Sequence, residues 1–507
     1  MQREDQLVRV SVQLVDAETG RQFQSLTIDR GLQDLFGLQD EIADKVAAAL
    51  EVNLAGAQWS GSNAKVNLDA YFEYLQGKAL LDRWRPTGAQ EAKAHFERAI
   101  EIEPTYAAAY AGLARASMQY SLLSWDGAAP PREKVAALLD KALSLDPSFG
   151  EAFVLRGELE DQVDLAVAEP DFRRGLALSP NYGAGYAFFA EALAERGRNA
   201  EALELIDRAR LIDPLTPRNH YLKGRFVSWT VPYEAPTPPE AEALMLQALN
   251  CDPTFSPAFM RLAEWKWRRG QTAQALKMVE RALRVDADTP WIRFRAAEMY
   301  VELNDMRSAR SVAKLGDVDV AGADVLFALH DGDWHHAADL AYRAAGPQQD
   351  EEFEYQTVLA IRGDALKNGG AARAIRFLRG RYHDMNLTAE LAVAALLSKE
   401  RGQQAQLRHR IERIAQANRK QEADIGPVHQ VRAVIAALEG DGESAIEALQ
   451  QYPLPLDLAN LLTDPYWDGV RSDPRFQRLI ARETRRVGHE REELEVLRRA
   501  GEIPLHR

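Results

Sequence analysis

The stretch that decides the fold runs from Gly183 to Pro214 and reads GAGYAFFAEALAERGRNAEALELIDRARLIDP. Its apolar residues recur with the helical period in two segments separated by the polar turn Arg196 to Asn199, the pattern of two amphipathic helices folded as a hairpin. It closes on Asp213 and Pro214. Proline has no backbone N–H and disfavours helical geometry in the residue before it, so the second helix stops there. The same ending recurs as ERAIEIEP at Pro104, DKALSLDP at Pro147, RRGLALSP at Pro180 and LQALNCDP at Pro253, and once more as ERALRVDA at Ala287. The intervals are 43, 33, 34, 39 and 34 residues. The two long ones hold turn-rich insertions, SLLSWDGAAPP around Pro130 and SWTVPYEAPTPPE around Pro236, so the underlying repeat is about 34 residues.

Position-by-position comparison strengthens the period. With each closing proline as the thirty-second residue of its unit, the twentieth is Ala92, Val135, Ala168, Ala202, Ala241, Ala275 and Ala309. The twenty-seventh is Ala99, Ala142, Gly175, Ala209, Ala248, Ala282 and Gly316. Small residues at fixed helical positions are what two helices need to interdigitate at interior packing density. The eighth position is small as well (Ala114, Ala190, Ala263, Ala297, and Gly77 and Gly224 once the insertions are allowed for), except at Arg156, which predicts a local deviation in one helix pair.

This pattern resembles the tetratricopeptide repeat family from at least Leu68 to Leu315. The resemblance implies an all-α fold, a right-handed superhelical solenoid. Beyond Leu315 the Gly-led, Ala-rich stretches at Gly332 to Ala344, Gly369 to Gly380 and Gly440 to Gln451 read as second helices of degenerate repeats. The expected organisation is a well-formed array over 66–315, degenerate repeats over 316–462 and capping helices over 463–507. In the cap, Trp467, Val470, Phe476, Leu479 and Ile480 close the last apolar groove while Arg471, Arg475, Arg478 and Arg482 face water, because a terminal repeat cannot bury its outer face alone.

Residues 1–54 differ from the rest. Val8, Val10, Val12 and Leu14 alternate with polar residues, DAETG at Asp16 to Gly20 turns the chain, and a second strand follows around Phe23 to Ile28. A helix with Leu38, Ile42, Val46 and Leu50 on one face is expected next. A lone hairpin is marginal in water, so this is a small, incomplete α+β segment. Its LVDAETG and DLFGLQDEIADKV look like the end of the TolB-like domain that precedes such repeats in bacterial regulators, although the second strand lacks that family's Trp and Tyr. The resemblance implies a sensory or docking module behind a class III adenylate cyclase or a winged-helix output domain. Neither output domain is recognisable in this chain. Residues 7–30 offer strand edges for self-association, unless the hairpin caps the array.

The 507 residues carry 62 Lys and Arg against 76 Asp and Glu, a net charge of −14, which argues against nonspecific binding of nucleic acid. No run approaches the apolar length of a membrane helix, and no secretory signal is visible, so the default location is the cytoplasm; a membrane segment upstream would make it periplasmic. One cysteine, Cys251, forbids an internal disulfide and reads as a packed thiol. His330, Asp331, Asp333, His335 and His336 read as a helix start, because adjacent histidines point to different sides of a helix. No phosphate loop, nucleophile elbow or zinc motif occurs, so no catalytic, cofactor or metal residue is expected and the chain is expected not to be an enzyme.

Function is therefore expected on the concave face, lined by the first helix of each unit at its second, fifth, ninth and twelfth positions. Phe153, Tyr221, Met260, Trp267, Trp291 and Phe294 are candidate apolar anchors there. Glu160, Glu191, Glu264 and Glu298, with Arg225 among them, are candidate charged contacts for a protein or peptide carrying a basic segment. Two alternatives stand beside this scaffold: the regulatory part of a cyclase or winged-helix regulator, and a small-ligand sensor using a groove pocket.

Overall fold

The structure is a computed structural model that describes residues 2–4, 7–15, 22–31, 67–82, 84–123, 132–161, 164–231, 235–287, 289–314, 322–344, 351–381, 428–452 and 454–506. The expected helix around Leu38 to Leu50 lies outside the described residues.

Helices come in pairs. They are α1 (Leu68–Leu81) with α2 (Pro86–Ile102), α3 (Ala107–Leu123) with α4 (Arg132–Leu145), and α5 (Gly150–Asp161) with α6 (Leu165–Leu178). Then follow α7 (Gly183–Ala194) with α8 (Asn199–Ile212), α9 (Pro217–Ser228) with α10 (Pro239–Cys251), and α11 (Ser256–Arg268) with α12 (Thr272–Val285). The series continues as α13 (Pro290–Glu302) with α14 (Met306–Ala313), α15 (Ala323–His330) with α16 (Trp334–Ala344), and α17 (Glu351–Asn368) with α18 (Ala371–Arg381). After residues outside the description come α19 (Val428–Leu438) with α20 (Gly442–Gln451), the short α21 (Leu458–Thr463), a single 3-10 turn Pro465–Trp467, and the long α22 (Pro474–Arg499).

Local chemistry sets these boundaries. The turns inside pairs carry a left-handed residue, Gly197 at φ 74° and Gly270 at φ 76°, with Asn304 at φ 57° serving the same purpose. Asp213 and Asp252 cap their helices ahead of the prolines. The Asp252 carboxylate accepts the Thr254 N–H at 2.8 Å, which turns the chain toward the next pair.

The predicted small positions are where the helices meet. A Cβ on Gly77 would lie 2.8 Å from the Phe96 ring, and one on Gly224 would lie 2.4 Å from Met245 Cε. The deviation expected at Arg156 has a physical cause. Arg156 turns to Asp171 on the partner helix, at 2.5 and 2.9 Å, and close approach shifts by one residue to Gly157, whose added Cβ would be 3.1 Å from Phe172.

Among the described residues, odd-numbered helices touch across repeats (α1 with α3, α3 with α5, α5 with α7, α7 with α9, α13 with α15, α15 with α17) far more than even-numbered ones do. The odd helices are thus on the inside of the curve.

At the amino end β1 (Gln2–Glu4), β2 (Leu7–Val15) and β3 (Gln22–Gly31) form an antiparallel sheet in that order, with Val10 opposite Ile28 and an irregularity at Leu14/Val15. The third strand, β1, adds to the expected hairpin. Ile28, only 2% exposed, packs with Val10 against Tyr71 and Tyr74 of α1, so the sheet covers the open end of the first repeat.

At the other end Trp467, Val470, Phe476 and Leu479 join Ala433, Val434, Ile446 and Leu449 in one apolar cluster, with Ile480 against it. Helix α22 then continues back along the array. Its Val487, Leu494 and Leu497, with Ile503 beyond, enter the core formed by α12, α13 and α14. Glu490 accepts the Ala273 backbone N–H at 2.9 Å, and Arg498 donates to Asp305 and, at 2.8 Å, to the Ser308 hydroxyl. The final segment is therefore a cap for the last repeat and a strut against repeats some 200 residues earlier, as the 217-residue separation of Ala273 and Glu490 illustrates.

Candidate functional site

The inner surface falls into two regions. The first spans α1 to α9. Glu191 of α7 is held by two arginines of α9: Arg218 donates to one of its oxygens and Arg225 to the other, the latter at 2.8 Å. Burial would raise the Glu191 pKa, but the two guanidinium groups outweigh it and hold the carboxyl below its ordinary range. Arg218 also lies 4.4 Å from the Trp84 ring centroid and 5.1 Å from that of Phe188. Trp84 belongs to the turn between α1 and α2, so the curve of the array brings the tip of the first pair against its fifth.

Inside this curve Glu158 has an Oε2 atom shielded from solvent with no hydrogen-bond partner, and the Tyr182 hydroxyl is in the same condition. Burial pushes Glu158 up to about 7; Arg218 and Arg115 oppose the shift, and Glu191 and Asp161 add to it. The region is thus a narrow polar interior of matched charge.

The second region is a cleft of about 560 Å³ walled by α11, α13, α15 and α17 on one side and by Tyr452 and the chain's own residues Leu454 to Asp464 on the other. That segment is fixed in place. Leu456 is buried, a Cβ on Gly270 would meet Pro455 Cγ at 2.7 Å, and Arg362 of α17 forms a fully buried ion pair with Asp464.

The sequence-derived residues divide by depth. Trp267, Glu264 and Glu298 line the cleft together. Phe153, Met260 and Phe294 do not present themselves to the groove: they are 4%, 6% and 0% exposed, because the fifth position of an inner helix faces its neighbours. Arg174 sits 4.1 Å over the Phe153 ring and covers it further. Trp291 is partly buried against the α12–α14 core, and Tyr221 packs edge-on to Phe255.

The acidic stripe is also changed. Glu191 pairs with Arg218 and Arg225, Glu264 with Arg261 at 2.6 Å, and Glu298 with Arg295 at 2.8 Å. Glu160 is half-buried on α5. The inner face is therefore largely charge-paired within the chain rather than openly acidic.

Sequence reasoning missed Asp457, Trp334 and Arg486 of the cleft, which come from a connecting segment, a helix start and the strut. The pairing of Glu191 with Arg225 was available: the two occupy the same ninth position of successive units, 34 residues apart.

Cys251 is half-buried, and burial raises its thiol pKa, which disfavours the reactive thiolate. In the histidine stretch Asp333 accepts the His336 N–H at 3.0 Å as a helix cap, His330 faces Asn304 at 3.1 Å and His335 faces Asp364 at 3.2 Å. No group of three or more candidate ligands for a metal ion occurs among the described residues. Nor is any described helix long and apolar enough to cross a membrane.

Residues 159–226 match the family model described as tetratricopeptide repeat. A curated relative, putative adenylate cyclase 3 of Rhizobium meliloti (strain 1021), is 29% identical over 144 residues, 28% of this chain. The match spans about a quarter (24%) of that relative's length. Among solved structures, human IFIT1 in its dimer with PPP-AAAA is 17% identical, covering 75% of this chain and 77% of its own, with a TM-score of 0.39. The pilus biogenesis factor PilW is 22% identical, covering 40% and 90%, with a TM-score of 0.29. YrrB, a protein of repeats with a peptide-binding site, is 18% identical, covering 39% and 91%, with a TM-score of 0.24. From its period, its stacked helix pairs and the match at 159–226, this chain carries tetratricopeptide repeats.

Proposed function

We propose that the chain is a non-catalytic scaffold that binds a protein or peptide partner on the inner face of α1 to α9. Repeats of this kind generally bind proteins. The observation that favours this region is its alternation of charge along the inner helices, where Arg115, Arg218 and Arg225 stand among Glu158 and Glu191. Such an interior supplies directed donors and acceptors that a partner's backbone and charged side chains can complete. A partner with both charges suits it better than a purely basic one, since Glu191 already has two arginines. A photo-crosslinking residue at Ala184, on the inner helix α7, should capture a defined partner. The same residue at Leu211, 72% exposed on the outer helix α8, should not. Capture only from Leu211 would place recognition on the outer face instead.

A second reading rests on the 144-residue likeness to a putative adenylate cyclase. In it the array is the regulatory part of a signalling protein with a cyclase or DNA-binding output, and the amino-terminal strands are the end of a TolB-like domain. An in-frame output domain encoded just upstream would support it; an unrelated upstream gene would count against it. Residues 7–30 are read as a cap rather than a surface for self-association, because Ile28 is buried on Tyr71.

A further inference from the structure

The cleft beside Leu454 to Asp464 has a chemistry distinct from the inner face of α1 to α9. Its volume of about 560 Å³ suits a small molecule, within the ~300–1,000 Å³ usual for such sites. The chain's own segment closes one side.

The charges around it are committed, with one exception. Arg295 is paired with Glu298 at 2.8 Å, Arg486 with Glu302 at 2.9 Å, and Arg362 with Asp464 at 2.5 Å. Arg268 reaches the Thr237 hydroxyl at 3.4 Å. Burial lowers the His330 pKa, with Arg310 and Arg491 adding to it against Asp331, which favours the neutral imidazole. Asp457 has no Lys or Arg within ion-pair distance among the described residues. Its carboxylate accepts the Asn460 backbone N–H at 3.1 Å as the cap of α21, with the Ala459 N–H also directed at it, and the side chain is exposed at the cleft. Burial raises its pKa; Glu302 and Asp464 add to that, and the backbone N–H groups oppose it. A cation beside it would relieve this repulsion.

The walls are aromatic. Trp334 lines the cleft and is held in place, because its benzene edge is pressed onto α17 at Gly363. Trp267 and Tyr452 supply further aromatic surface.

We propose that this cleft is a binding site for a small organic cation, an ammonium or guanidinium compound. Asp457 is its counter-ion, and the aromatic walls stack against the cationic group.

Isothermal titration calorimetry on the full chain tests this with argininamide, which carries the cation, and with N-acetylglutamate as an anionic probe. Argininamide should bind and the anion should not. Asp457→Asn, which keeps the helix cap but removes the charge, should weaken binding at least tenfold. Circular dichroism and the melting midpoint establish that each variant is folded. Glu97→Gln, on the distant helix α2, should leave the affinity unchanged. Absence of argininamide binding, binding indifferent to Asp457→Asn, or preferential binding of the anion would each overturn the assignment.

Discussion

Arg362 of α17 and Asp464, 102 residues later, form an ion pair at 2.5 Å with their side chains only 3% and 1% exposed. The Arg362 guanidinium also lies 3.7 Å from the Tyr466 ring centroid. A buried pair of this kind contributes little net stability over apolar residues, but breaking it strands a charge. Asp464→Ala should therefore cost about 3–5 kcal/mol in urea unfolding. Arg362→Met with Asp464→Leu should recover much of that loss. A double variant as unstable as the single one would show that the loss comes from the cap Asp464 gives the Tyr466 N–H, not from the charge.

Gly175 offers a case in which consensus and structure disagree. Five of the other six units carry alanine at this position, and alanine gains about 1 kcal/mol over glycine inside a helix. Yet a Cβ here would lie 2.6 Å from the Gly150 carbonyl oxygen and 2.8 Å from the Val154 nitrogen, backbone atoms that cannot step aside. Overpacking costs about 1–3 kcal/mol, so Gly175→Ala should lower the melting midpoint. A rise would mean that α5 and α6 lie further apart than described.

Glu158 makes stability depend on pH. With its pKa pushed up to about 7 from an ordinary 4.5, the folded chain keeps between those values a proton that the unfolded chain has released. Stability from this group is present below about pH 4.5 and is lost as pH rises toward 7, by at most about 3 kcal/mol. Glu158→Gln cannot lose that proton. Relative to wild type it should gain stability between pH 5 and pH 8, measured by chemical unfolding at each pH. A constant difference across that range would refute the shifted carboxyl.

The strut predicts a long-range effect. Leu494 is 2% exposed in the core shared with α12 to α14. Leu494→Asp places a charge there without a partner and should cost about 3 kcal/mol or more. Hydrogen exchange should quicken in α12 and α14 as well as in α22. Faster exchange confined to α22 would mean that the early repeats stand without it.

The repeats were legible because their information is local and recurrent. Ala202 and Ala209, or the Asp213 and Pro214 that end α8, signal the same geometry each time the period returns. The strut was not legible, because Glu490 and Ala273 share no periodic relation and a carboxylate on a charged helix reads as solvated. The inner-face chemistry was legible in part. The shared register position of Glu191 and Arg225 puts them on adjacent inner helices, but whether two such side chains meet depends on the curvature of the array. Phe153 and Phe294 were misassigned to the groove for a related reason. The fifth position faces both the groove and the neighbouring helix, and a large apolar side chain takes the buried option.

The return of α22 to the middle of the array bears on how the chain is made. A linear stack can fold as it leaves the ribosome, each pair settling on the one before. Here the surface of α12 to α14 waits for its cover, since Glu490 follows Ala273 by 217 residues. At about 5–20 residues per second that delay is on the order of 10–40 seconds. Throughout that interval Ala273, Leu303 and Val312 border an unfilled apolar seam, and a nascent chain in this state is a natural client for a holding chaperone.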